Sequence, residues 1–190
     1  GDAVDGAHHN TPQIITRNEN DQLRIAVEVV QPVLDVADKV WVIRGTEAHV
    51  GKSASREEML AEDIGAVQSA DGKYAHDHLY AEFGGVVFDI QHHPESVASR
   101  PWTAGAEVNR ISAMLVYEYA GSRDRVPDVA IRSHRHQFRD SGTTHPVRTF
   151  MTPAWQMATA FVKGPVAAAG KINPVGGMYF ICRDGNYTWD

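Results

Sequence analysis

The sequence predicts an α/β layered fold, because short β-branched runs alternate with amphipathic helical segments and each run closes at a glycine, a proline or a polar turn. Leu23, Ala26, Val29, Val30, Val33 and Ala37 recur at mostly helical spacing over 21–38, with Pro32 as a kink or break. The run 39–44, Lys-Val-Trp-Val-Ile-Arg, is β-branched and apolar, ends at Gly45, and reads as a buried strand. Ser55-Arg-Glu-Glu58 has the spacing of a capping box and predicts a helix over 56–64 that stops at Gly65. A second buried strand is expected over 86–91, after Gly84-Gly85. Thr103 is a plausible N-cap, and Val108, Ile111, Leu115 and Tyr119 then mark a helix up to Gly121. A third short strand follows Pro127 over 128–132, further strands are predicted over 147–151 and 177–182, and 164–177 reads as a Pro/Gly-rich loop.

The 190 residues are 43% hydrophobic and 22% charged, which excludes a disordered or low-complexity chain and supports a real core. No repeat, linker or charge run divides them, so one domain over 1–190 is expected. No stretch approaches the roughly 20 apolar residues of a membrane span, and no charged-then-apolar leader opens the chain, so a soluble, cytoplasmic protein is expected. A formal charge of −6 argues against a broad basic face for nucleic acid while leaving room for a local phosphate site. The lone Cys182 excludes an intramolecular disulfide and a cysteine-based zinc cage, and it reads as a small core residue.

Ten histidines are present, and eight fall in close pairs: His8-His9, His76-His78, His92-His93 and His134-His136. Placed on the predicted elements, His49 lies in the loop after the 39–44 strand, His92-His93 follow the 86–91 strand, and His134 and His136 follow the 128–132 strand. Three such loops converge if the strands are parallel neighbours, at the edge where open α/β sheets bind ligands. In extended backbone, His134 and His136 would point the same way and could hold one metal ion or two adjacent ones; a pair of solvated histidines is the alternative. Of His92 and His93, alternation lets only one face the site. Asp2, on the glycine-lined turn 1–6, is a candidate oxygen ligand that can bridge two cations; an ordinary Asp/Gly turn is the alternative.

The order of these blocks carries a resemblance. Gly-Asp-x-x-Asp at 1–5, a glycine turn ending in His49, His-His-Pro at 92–94 and Ser-His-x-His at 133–136 resemble the calcineurin-like metallophosphoesterase superfamily. The stretches 1–13, 44–51 and 153–156 look like the branch carried by tailed bacteriophages. The resemblance implies a two-layer β sandwich flanked by helices, with two divalent cations, manganese, iron, zinc or nickel, at the sheet edge. It implies that Asp2 bridges both ions, that His134 and His92 bind the second, with His93 as runner-up to His92, that His136 binds the first, and that His49 protonates the leaving group. Asp5 matches a position that shapes the loop. Three departures qualify this pattern. The superfamily's first Asp-x-His block does not occur after Gly1, so the domain is expected to be N-terminally incomplete, with that block upstream; without it only one ion would be well held. Thr46 stands in the slot of the block's Asn, with Glu47 the nearest stronger oxygen donor, and Ser133 replaces the usual Gly. His9, close to Asp2, is a candidate substitute ligand.

The implied chemistry is hydrolysis of a phosphate ester by metal-activated water, with a nucleotide or nucleic acid as the natural substrate for a phage-type member, in the host cytoplasm or on the virion. Bound metals lower the pKa of water from 15.7 toward about 7, and general acid catalysis by His49 would contribute roughly 100- to 10,000-fold. Six of thirteen arginines fall between Arg123 and Arg148, and Arg135, between the two histidines, is the candidate to contact substrate. Ion pairs with Asp124, Asp128 and Asp140 are the alternative for this group. Trp102, Tyr117 and Trp155 are expected to fill the core rather than stack a base. His76, His78 and His145 are expected at the surface or behind the site. Two other classes compete: a degenerate metal-binding component of a complex or virion without turnover, and a zinc-dependent hydrolase of a non-phosphate ester or amide.

Overall fold

The computed structural model describes residues 1–6, 14–51, 55–94, 103–157 and 174–190. It is a mixed α/β structure in two compact units, Gly1–His78 and Leu79–Asp190, within what the sequence reads as one domain. No helix among the described residues is long and apolar enough to cross a membrane.

In the first unit, helix α1 spans Glu19–Leu34 and is capped by Asn18, whose side chain accepts from the Asn20 N–H at 3.1 Å. Pro32 sits inside the last turn, and the helix ends two residues later rather than running to 38. Strand β1 (Val42–Ile43) is shorter than expected and only half-buried, and among the described residues its one ladder partner is β2 (Ala75–His76), parallel to it. Helix α2 is a single turn, Glu47–Val50, and α3 spans Ser55–Asp63. Glu58 does not close the expected capping box. Its two carboxylate oxygens accept instead from the Tyr74 and Ala75 N–H groups, each at 2.8 Å, tying α3 to β2. Val4, Leu23, Val50 and Leu60 form the core, so the chain start, α1, α2 and α3 share one apolar centre. His76 is buried, not at the surface, with Nε2 2.8 Å from the Val67 carbonyl.

The second unit is built on a five-stranded mixed sheet of β3 (Leu79–Phe83), β4 (Val86–Ile90), β5 (Val129–Arg132), β6 (Arg139–Asp140) and β7 (Arg148–Met151), in the order β3-β4-β5-β7-β6. Strands β4, β5 and β7 are parallel, and β3 and β6 run antiparallel at the edges. Gly84 and Gly85 turn β3 into β4 with positive φ of 56° and 82°, a conformation glycine adopts without steric cost.

Alternation divides the sheet's two faces. Val86, Phe88, Val129 and Phe150 face the hairpin of β8 (Phe180–Arg183) and β9 (Asn186–Trp189), where Phe180, Tyr187 and Trp189 complete the cluster. Ala130 faces helix α4 (Ala104–Ala120), which presents Ile111 and Leu115. Tyr117 and Trp155 are exposed rather than in the core: Tyr117 is out of phase with the Ile111/Leu115 stripe, and Trp155 lies beyond β7. Trp102 lies outside the described residues. Cys182 packs into the hairpin cluster as expected, and burial pushes its thiol above its ordinary value.

The α4 face also holds a buried ion pair. Arg132, at the end of β5, is fully buried, and its Nη1 lies 2.7 Å from Oδ1 of Asp89 and donates to the Asp89 carbonyl at 3.1 Å. Tyr119 of α4 donates to Oδ2 of Asp89 at 2.9 Å, and burial first, then this bond, pushes its phenol well above the usual range. Removing one partner leaves the other charge buried and unpaired, so Asp89→Ala is expected to cost about 3 to 5 kcal/mol in urea unfolding, with Asp89→Asn milder. At the sheet edge, hydrogen bonds from Arg148 hold the Asp140 carboxyl below its ordinary value. A depressed carboxylate stabilises the fold above its unfolded pKa and loses that contribution as pH falls through the folded one. Asp140→Asn should therefore flatten the acid limb of a stability-versus-pH curve below about pH 4.

Candidate functional site

The second unit brings together three histidines. Because β4 and β5 are parallel neighbours with Ile90 opposite Ile131, their C-terminal ends open at the same edge. His92 and His93 leave one strand there, and Ser133 and His134 leave the other. The Ser133 N–H donates to the His92 carbonyl at 2.9 Å, which joins the two loops directly, and the Ser133 and Thr152 hydroxyls lie 3.0 Å apart. One ligand nitrogen from each of His92, His93 and His134 lies within 4.8 Å of the others. The rings pack edge-on or tilted, with centroids 4.8 Å (His92–His93), 5.3 Å (His92–His134) and 4.8 Å (His93–His134) apart. His92 is buried, His134 half-buried and His93 exposed, so the group is anchored on one side and open on the other.

Two expectations change in detail. Both His92 and His93 belong to the group, because the chain bends after β4 ends at Ile90 and period-two alternation no longer applies. His136 is not among the three clustered histidines. The 133–136 loop is not extended: His134 and His136 have φ of 69° and 53°, so spacing of two does not put them on one face. Among the described residues, four non-glycine residues adopt positive φ: Asp2, His134, His136 and Asp184. Asp184 precedes Gly185 in the β8–β9 hairpin turn, where an Asp-Gly pair is ordinary. The other three are candidate site residues, and uncommon backbone concentrates at functional positions.

Behind the histidines sits a buried carboxylate that the sequence left unassigned. Glu107 on α4 is fully buried and accepts from Nη1 of Arg139; Nε of Arg135 lies 3.5 Å from its Oε1. Of the expected arginine pairings, Arg125 meets Asp128 at 2.8 Å and Arg148 meets Asp140 at 2.6 Å, while Arg132 pairs with Asp89 instead.

The first unit gathers Asp2, Thr46 and His49. Asp2 Oδ1 accepts from the Thr46 N–H at 2.6 Å, and Oδ2 accepts from the Thr46 hydroxyl at 3.2 Å. His49 Nε2 lies 4.0 Å from Asp2 Oδ2. A carbonyl can only accept, so the 3.0 Å contact of His49 Nδ1 with the Asp5 carbonyl places the proton on Nδ1. Asp5 thus acts through its backbone. Glu47 is exposed and pairs with Arg44 at 3.7 Å, away from Asp2's contacts. His9 and His8 lie outside the described residues.

Two buried side chains that sequence reasoning missed hold this segment. Glu57, fully buried, accepts from the Ala3 N–H at 3.1 Å and from the Gly45 N–H. Gln22 accepts from the Gly6 N–H at 2.8 Å and donates to the Gly6 and Thr16 carbonyls at 3.2 and 2.8 Å. The only sequence signal was a polar residue beside an apolar helical stripe.

The chain matches no family model, and no curated protein or solved structure is significantly similar to it.

Gly45 leaves the space that Asp2 occupies, since a Cβ there would lie 2.2 Å from the Asp2 nitrogen and 2.3 Å from its Oδ1. Gly45→Ala should displace Asp2, cost about 1 to 3 kcal/mol as overpacking does, and free the Thr46 N–H. Amide hydrogen exchange checks this: Thr46 should lose protection while β4 and β5 keep theirs.

Proposed function

We propose that the chain is a metal-dependent phosphoesterase that holds its ion through His92, His93 and His134. The observation carrying this reading is the convergence of three imidazoles from two parallel strand ends. Imidazole nitrogens suit manganese, iron, zinc or nickel better than calcium. The three nitrogens, within 4.8 Å of one another, are the donors that would hold a divalent ion. A divalent ion bound there would supply Lewis acidity and a water acidic enough to ionise near neutral pH. The chain's own residues contribute orientation: Ser133 and the Arg132–Asp89 pair fix the loops that carry the histidines. In the first unit, His49, with Nδ1 committed to the Asp5 carbonyl, keeps Nε2 on the side of Asp2 as the nitrogen able to exchange a proton. The hairpin on one sheet face and α4 on the other support the metallophosphatase-like sandwich, and a nucleotide or nucleic acid is the substrate this reading favours.

One observation favours a second reading. The group is all-histidine and excludes His136, which suits one ion rather than the dinuclear pair, as in a metal-binding component without turnover.

Metal titration with turnover of an aryl phosphodiester decides between them. His92→Ala and His134→Ala should each weaken manganese or zinc binding by more than about tenfold and abolish turnover. Metal binding with no phosphoester turnover selects the second reading, and absence of metal binding overturns both.

A further inference from the structure

We propose that Arg135 binds the non-bridging oxygens of a phosphoryl group beside the histidine cluster, held in place by the buried carboxylate of Glu107. This deepens the phosphoesterase reading and rests on it for the nature of the substrate.

Of the six arginines from Arg123 to Arg148, four have a carboxylate as close partner: Arg125 with Asp128, Arg132 with Asp89, Arg139 with Glu107 and Arg148 with Asp140. Arg123 lies in the exposed turn before β5, at the opposite end of that strand from the histidines. Arg135 has only a share in Glu107, which Arg139 already engages more closely and whose single negative charge cannot balance both guanidinium groups. One positive charge is therefore in excess, and it sits in the residue directly after His134.

Geometry gives that charge a direction. The Arg135–Glu107 contact is given by Nε at 3.5 Å, and Glu107 is the carboxylate that Arg135 meets among the described residues. The side chain is 27% exposed against 8% for Arg139, so Arg135 alone of the two reaches solvent appreciably. A guanidinium drawn to a buried carboxylate by charge through Nε, and partly open to solvent, has a fork that suits two parallel bonds to phosphate oxygens. Glu107 is thus a positioning residue: it spends one negative charge to hold two arginines, one for the fold and one for the ligand.

Calorimetric titration of the full chain with inorganic phosphate and with dimethyl phosphate, each with and without manganese, tests this. Arg135→Ala should weaken anion binding by about tenfold or more with manganese affinity unchanged, and Arg135→Lys, which keeps the charge but not the fork, should fall between. A larger loss for inorganic phosphate assigns Arg135 to a terminal phosphoryl group, and an equal loss assigns it to an internal diester; either supports the proposal. Wild type that binds neither anion, or an Arg135→Ala chain that binds them as wild type does, overturns it. Failure of manganese to bind would sink the phosphoesterase reading instead, and the metal-free titrations would still judge Arg135.

Discussion

The buried pair of Arg132 and Asp89 is the constraint on which the second unit's candidate chemistry depends. Asp89 sits one position before β4 ends and Arg132 is the last residue of β5, on adjacent parallel strands and out of water. A charge so placed tolerates only one strand register, since a slip of one residue would turn Arg132 toward the aromatic hairpin face and leave Asp89 without its partner. The chain leaves β4 and β5 immediately beyond, so the register that satisfies the pair also sets the height at which His92, His93 and His134 emerge.

The first unit solves the same problem with neutral donors. Its short N-terminal segment has one apolar anchor, Val4, and would otherwise be held weakly. Glu57 and Gln22 supply the remaining constraint by accepting backbone N–H groups at Ala3, Gly45 and Gly6. There a buried polar side chain on a helix reaches a loop that carries candidate chemistry and satisfies its backbone groups, whereas Arg132 satisfies carbonyls within the strands themselves.

The long elements were legible in the sequence because their signals are local. Stripe spacing placed α4 within one residue, and β-branched runs bounded by Gly or Pro placed β4, β5 and β7. Short edge elements were not: β2 and β6 are two residues each and exist only through their partners, and β3 and β9 alternate too weakly to stand out beside polar neighbours. Which histidines cluster was legible only in part. His92 and His134 follow from strand order, but His93 joins and His136 leaves because backbone beyond a strand end does not keep the strand's alternation. Asp89 inside Val-Val-Phe-Asp-Ile and Arg132 closing Val-Ala-Ile-Arg were visible anomalies whose mutual pairing required the register to recognise. Glu107 gave no such hint, for a glutamate near a helix start is ordinarily a solvated one.

Left-handed backbone at Asp2, His134 and His136 filters what these positions can become. Aspartate, asparagine and histidine enter that region at modest cost, glycine enters freely, and β-branched or bulky side chains are penalised. A descendant released from any chemical demand would accumulate glycine or asparagine here, because relief of conformational tension rewards both. Persistence of imidazole at 134 across divergent relatives would thus speak for its nitrogen, whereas a glycine there would mark a lineage that kept only the loop's shape.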